Sequence, residues 1–243
     1  MCLLIALWAH DGSLIIAANR EERYDRPTRQ PFLWETNPPI LAGQDQIGGG
    51  AWLAVNDRGV LAAVTNRRTI DGDAPTRPSR GELPLLACRH GSAEQAHAAL
   101  REHLASTRYN GFNLLVADAG QGWIFQAPSN PASDEPVSPG IHVIGNTAWD
   151  DPRDPRVERA RELLGNLPGR ADAILGRLAE ICREHMPLDP PRSLCRHGPE
   201  GGTVSSTILR ISPAGHLLDY LHAPGPPCTH PYAPMKVTFP QRV

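Results

Sequence analysis

The stretch MCLLIALWAHDGSLIIAANREE (residues 1–22) decides how this chain is read. Two apolar runs, residues 2–9 and 14–19, flank the segment His10-Asp11-Gly12-Ser13. Asp-Gly between apolar runs is a strong hairpin signal, because glycine supplies the positive φ that a tight turn needs. Antiparallel pairing about Asp11-Gly12 sets residues equally distant from the turn opposite one another, so Cys2 falls opposite the segment 19–22. The first run does not fit a secretory signal: no basic residue precedes it, it is short, and His10-Asp11 ends it.

Composition bounds the rest. The 243 residues are 40% hydrophobic and 21% charged with a net charge of −2, the profile of a soluble globular protein. That charge offers no strong field for nucleic acid or a membrane surface. The 25 prolines and 22 glycines favour turns and strands over a helical bundle. Five scattered cysteines (Cys2, Cys88, Cys182, Cys195 and Cys228) suit reduced thiols in the cytoplasm better than a disulfide framework. No run approaches the roughly 20 apolar residues that span a bilayer. Composition leaves the oligomeric state open.

Downstream, residues 20–50 read as a long ordered loop punctuated by four prolines and Gly48-Gly49-Gly50. A second hairpin follows at 52–55 and 60–65. Ser79 with Glu82, and Ser92 with Gln95, each form a capping-box pattern that predicts a helix start. Strands are predicted at 112–117, 123–126 and 141–145, with a loop at 128–139. Apolar residues at helical spacing predict helices over 156–164 and 171–184. A last hairpin is predicted from 204–211 and 216–221, turned by Pro213-Ala214-Gly215. This order predicts an α+β fold of antiparallel sheets with helices packed on them, in a single domain spanning 1–243.

The second position carries the candidate chemistry. Methionine removal is efficient before small residues and would leave Cys2 with a free α-amine, whose reference pKa near 8 lies close to the thiol's 8.5. One residue then supplies both nucleophile and base. Position alone does not separate this from a small core residue on an edge strand. The predicted neighbours favour the nucleophile: Asn19, Arg20 and Glu22 bring an amide, a guanidinium that stabilises a thiolate, and a carboxylate that orients the amine.

Further segments carry a resemblance. The N-terminal Met-Cys, ANREE (18–22), RPT (26–28), GGGAWLAVNDRGVLAAVTNRR (48–68), SRGELP (79–84), FNLLVAD (112–118) and GIHVIGN (140–146) resemble, in matching order, the NRDE or transport and Golgi organisation protein 2 family. The Asn-Arg-Asp-Glu box is here Asn19-Arg20-Glu21-Glu22. That family resembles the N-terminal-nucleophile (Ntn) hydrolases, in the branch of choloylglycine hydrolase, penicillin V acylase and the penicillin-forming acyltransferases. The resemblance implies a four-layer αββα sandwich and strand-end amides at Asn66 and Asn146, placed to donate to a tetrahedral oxyanion. Where the family run Gly-Thr-Arg-Ser-Ser-Thr has arginine, this chain has Val204.

Two activities are consistent with such a site. The first is attack by Cys2 on an amide, ester or thioester of a small acyl compound, with no cofactor. The second, also proposed for the family, is non-catalytic trafficking of haem or carriage of lipid or acyl-CoA in the same pocket, with Cys2, His10 or another histidine as haem ligand. Cys182 and His185, Cys195 and His197, and Cys228 and His230 offer soft metal ligands, but their spacings are not the usual paired ones, and no metal is assigned. The pair Arg67-Arg68 reads as an exposed turn.

Overall fold

A computed structural model of the chain describes residues 2–67, 72–128 and 131–240. Met1 and Arg68, both used in the sequence reading, lie outside them. Two compact units divide the chain: residues 1–25, 140–213 and 217–236, and residues 26–139 with 214–216 and the end of the chain.

The first unit is built on the N-terminal hairpin. β1 (Leu3–Trp8) pairs antiparallel with β2 (Leu14–Arg23). Gly12, at φ 79°, lets its N–H reach the Ala9 carbonyl at 2.9 Å, while Ala9 N–H bonds the Ser13 carbonyl at 2.8 Å. β1 also takes β10 (Ile141–Ile144), and β2 takes β11 (Gly201–Ile211), which continues to β12 (Leu217–Ala223) and β13 (Ala233–Pro234). The six-stranded order is β10-β1-β2-β11-β12-β13.

Strands bury alternate residues on each face. Leu3, Ile5, Leu7, Ile15, Ala17, Val143 and Ile208 form one cluster with Val157, Ala160 and Leu164 of α3 (Pro155–Leu164) and Ile174, Leu178 and Ile181 of α4 (Ala171–Arg183). Odd-numbered residues of β1 and β2 therefore face the helices, and even-numbered ones the opposite face. Asp154 caps α3 by accepting from Arg156 N–H at 2.9 Å.

The second unit is a seven-stranded antiparallel sheet in the order β3 (Thr28–Trp34), β4 (Ile40–Asp45), β5 (Leu53–Asn56), β6 (Leu61–Asn66), β7 (Phe112–Ala117), β8 (Gly122–Ala127), β9 (Ser133–Pro136). Helices α1 (Glu82–Ala87) and α2 (Ala93–Ser106) pack on it through Leu83, Ala87, Ala96 and Leu100. The Ser92 hydroxyl accepts from Gln95 N–H at 3.2 Å, as predicted; the Ser79 cap is not formed, and Gly81 is the N-cap of α1 instead. Two predicted loops contain strands, β3 and β4 within 20–50 and β9 within 128–139. The α+β class with two antiparallel sheets is as expected.

One buried group ties the first unit's stability to pH. His222 of β12 bonds Thr207 Oγ1 through Nδ1 at 2.9 Å, and burial pushes its pKa down to about 4. The unfolded chain takes up that proton as pH falls through about 6.5. The His222 contribution is therefore whole above that pH and drains as pH falls toward 4, on the order of 3 kcal/mol in total. His222→Gln should flatten this part of the acid limb in urea titrations at pH 7 and pH 4.5; an unchanged difference between the two pH values contradicts it.

Candidate active site

The hairpin register sets Leu3 opposite Asn19. One step further out, half-buried Cys2 stands level with Arg20. On the other side of β2, Arg20 pairs directly with Ser205 of β11. On the other side of β1, the register Leu4↔Ile144, carried two residues on, brings Asn146 level with Cys2. One row across the sheet thus reads Asn146, Cys2, Arg20, Ser205.

Side-chain direction sorts these residues further. Arg20 and Ser205, directly opposed, share the face away from α3 and α4. Both are buried, and the Ser205 hydroxyl has no hydrogen-bond partner among the described residues. Sequence reasoning missed Ser205. Its signal was present in the Ser205-Ser206 pair, but only the pairing of β11 with β2, unbroken from Ile211↔Leu14 to Ser205↔Arg20, places it opposite Arg20; beyond it the register shifts between Thr203 and Ser205. That shift makes Val204 the extra residue of a β-bulge, with no opposing residue on β2.

The Asn19-Arg20-Glu21-Glu22 box is split by the pleat. Asn19 faces the helices, where its Nδ2 donates to the carbonyls of Cys182 and Leu194, both at 2.9 Å. It ties β2 to the end of α4 and to the following loop, and so it is not a member of the Cys2 row. Its Oδ1 is buried with no partner among the described residues. Glu21, on the same face, is held by Arg156 of α3: Nη2 bonds Oε1, and Nη1 bonds Oε2 at 3.3 Å. Burial pushes the Glu21 carboxyl up, and the Arg156 charge draws it back.

Glu22 lies on the Arg20 side of the strand, and its Oε1 accepts from Arg23 N–H at 3.0 Å. It lines a cavity of about 270 Å³ with Glu21, Arg23, Arg196, His197 and Gly202. That cavity opens at the outer end of β2 and β11, and neither Cys2 nor Arg20 is among the residues lining it.

Asn146 follows β10 in a loop pinned by Asp150. The Asp150 carboxylate accepts from Val143 N–H at 2.7 Å and meets His142 Nδ1 at 2.7 Å. Burial opposes its ionisation, but these two bonds and Arg161 hold its carboxyl below the usual range. Asn66 ends β6 opposite Phe112, in the second unit. Two other thiols are core groups: Cys88 and Cys182 are buried, and burial pushes Cys182 up to about 11. Among the described residues, no helix is long and apolar enough to cross a membrane.

Solved structures share this architecture. An N-acylethanolamine-hydrolysing acid amidase ortholog from Caenorhabditis elegans superposes with a TM-score of 0.58 over 88% of this chain and 93% of its own, at 15% identity. Penicillin V acylase from Agrobacterium tumefaciens does so with a TM-score of 0.53 over 92% of this chain and 83% of its own, at 13% identity. At such identities the likeness establishes the fold alone, which is that of the Ntn hydrolases. In sequence, the Transport and Golgi organization protein 2 homolog of Bos taurus is 32% identical over 238 residues, covering 84% of each chain. The family description Transport and Golgi organisation 2 matches residues 1–216. The chain therefore belongs to the Transport and Golgi organisation 2 family.

Proposed function

We propose that the chain hydrolyses or transfers the acyl group of a small amide, ester or thioester, with Cys2 as nucleophile once Met1 has been removed. The observation that carries this reading is the row of Cys2, Arg20 and Ser205 across β1, β2 and β11, on the sheet face away from the helices. The fold is shared with an amidase and an acylase, which supports the same class of reaction.

The Cys2 α-amine accepts the thiol proton, and the thiolate sulfur forms a bond to the carbonyl carbon. The carbonyl π electrons move to oxygen, giving a tetrahedral oxyanion. Arg20 supplies a fixed positive charge level with the sulfur, and Asn146 supplies an amide N–H donor. Each preorganised donor to such an oxyanion is worth about 3–4 kcal/mol of transition-state stabilisation. Collapse breaks the bond to the leaving amine, alkoxide or thiolate, which takes its proton from the Cys2 ammonium. Water, deprotonated by the same amine, then cleaves the thioester and regenerates the thiol.

Steady-state acyl release separates this reading from carriage. A chain lacking Met1, offered short-chain thioesters and N-acyl amines, should release the acyl product, and Asn146→Ala should slow kcat/KM by on the order of 10²-fold. Saturable haemin binding with a Cys2-dependent Soret shift, without acyl release from any of these substrates, would replace it with the carrier reading.

A further inference from the structure

Away from the Cys2 row, the fold collects soft ligands that are distant in sequence. Cys195 and His197 lie on the segment entering β11, and Cys228 lies on the turn after β12. The three ligand atoms all lie within 4.8 Å of one another. Cys195 Sγ is 3.4 Å from Cys228 Sγ and 3.8 Å from His197 Nε2, and His197 Nε2 is 3.1 Å from Cys228 Sγ.

We propose that Cys195, His197 and Cys228 form a binding site for a soft divalent cation of the zinc class. Tetrahedral zinc takes sulfur at about 2.3 Å and imidazole nitrogen at about 2.0–2.1 Å, which sets its ligand atoms roughly 3.6–3.8 Å apart. The three distances here fall within about half an ångström of that spacing, so shifts of the side chains close the site. Two thiols and one imidazole are also the donor set that favours zinc over the hard cations, which prefer oxygen.

The backbone under the site is fixed in advance. Cys195 N–H bonds the Glu184 carbonyl at 2.8 Å, and Arg196 N–H bonds Thr203 Oγ1 at 2.9 Å. Thr203 N–H returns to the Arg196 carbonyl at 2.8 Å, and His197 bridges to Gly202. Cys228 sits in a turn closed by Thr229 and His230 N–H on the Pro226 carbonyl, at 3.0 and 2.8 Å. His185 packs edge-on to the His197 ring, with centroids 4.6 Å apart, and its Nδ1 meets the Cys195 carbonyl at 3.1 Å. It is a positioning residue, orienting one ligand ring and one ligand backbone.

Binding exchanges protons for metal: both thiols lose their protons to solvent, their sulfur pairs and the His197 Nε2 pair bond the cation, and no redox change occurs. Cys228 and His197 are both exposed, so the fourth position opens to solvent and takes water. The site does not depend on the Cys2 chemistry, and its test reads no enzymatic activity.

The experiment titrates the reduced, chelator-treated full chain with cobalt(II), then displaces it with zinc(II). One equivalent of cobalt should bring up thiolate-to-cobalt charge-transfer absorption, with release of protons, and zinc should abolish it. Cys228→Ser, on an exposed turn, and His197→Ala should each weaken binding by at least about 100-fold, and His185→Ala by about 10-fold with the band retained. Cobalt binding unchanged in Cys228→Ser overturns the proposal. So does a reduced chain that binds no metal and on oxidation only links Cys195 to Cys228 as a disulfide.

Discussion

Arg156→Ala is expected to destabilise the protein by about 3–5 kcal/mol, the usual cost of stripping one partner from a buried ion pair. Arg156 of α3 and Glu21 of β2 are 4% and 5% exposed. The guanidinium also donates through Nε to the Ser193 carbonyl at 3.2 Å and through Nη2 to the Leu194 carbonyl at 3.3 Å. The substitution thus strips this partner from a buried carboxylate and the Ser193 carbonyl, leaves the Leu194 carbonyl to Asn19 alone, and detaches a helix from the strand that carries Arg20.

The loss should also depend on pH, with a definite sign. Burial pushes the Glu21 carboxyl up, and removing Arg156 pushes it further. The folded variant therefore binds a proton more readily than the unfolded chain, and its deficit should be full at neutral pH and shrink under acid. Glu21→Leu added to Arg156→Met should recover most of the loss, since an apolar pair of similar volume avoids both desolvation costs. Urea midpoints with an unchanged m-value measure this. A loss below about 1 kcal/mol for Arg156→Ala would show that the pair is not the tie described.

Cys2→Ala should leave urea stability close to that of the parent, since it removes one half-buried sulfur at the edge of β1. Acyl release should nevertheless fall by at least about 10³-fold, because the row then holds no thiol, and the Ser205 hydroxyl has no base bonded to it among the described residues. Arg20→Leu should act differently, lowering kcat and kcat/KM together by about 10²- to 10³-fold while some acyl adduct still forms on Cys2. Equal losses of stability and activity in Arg20→Leu would instead mark Arg20 as a structural residue.

The hairpin that assembles the row was legible in the sequence, because Asp11-Gly12 sets the turn and the turn sets the register. Sequence also brought the 19–22 box next to Cys2. It could not divide the box, because all four residues are polar and alternation has no apolar partner there to mark the inner face. The helix-side roles of Asn19 and Glu21 depend on Cys182, Leu194 and Arg156, more than a hundred residues away.

Strand β3 was hidden by Pro31 and by its polar first residues. A proline is tolerated because β3 is the edge of its sheet and need not donate on both sides. β9, at the opposite edge, was hidden in the same way by Ser133 and its acidic residues. The bulge at Val204 has no signal of its own in the sequence, and it shifts Thr203 and the residues before it by one position against β2. The Cys195, His197 and Cys228 cluster was discounted on spacing, since the return of β12 beside β11 is what closes the 33-residue gap.

The most direct test is intact and peptide mass spectrometry of the chain after Met1 removal and treatment with a β-lactone probe. The account predicts a single acyl adduct, mapped to Cys2, absent from Cys2→Ala and from chains that retain Met1. Labelling of equal extent in Cys2→Ala, or no adduct on a folded chain that begins at Cys2, would contradict it.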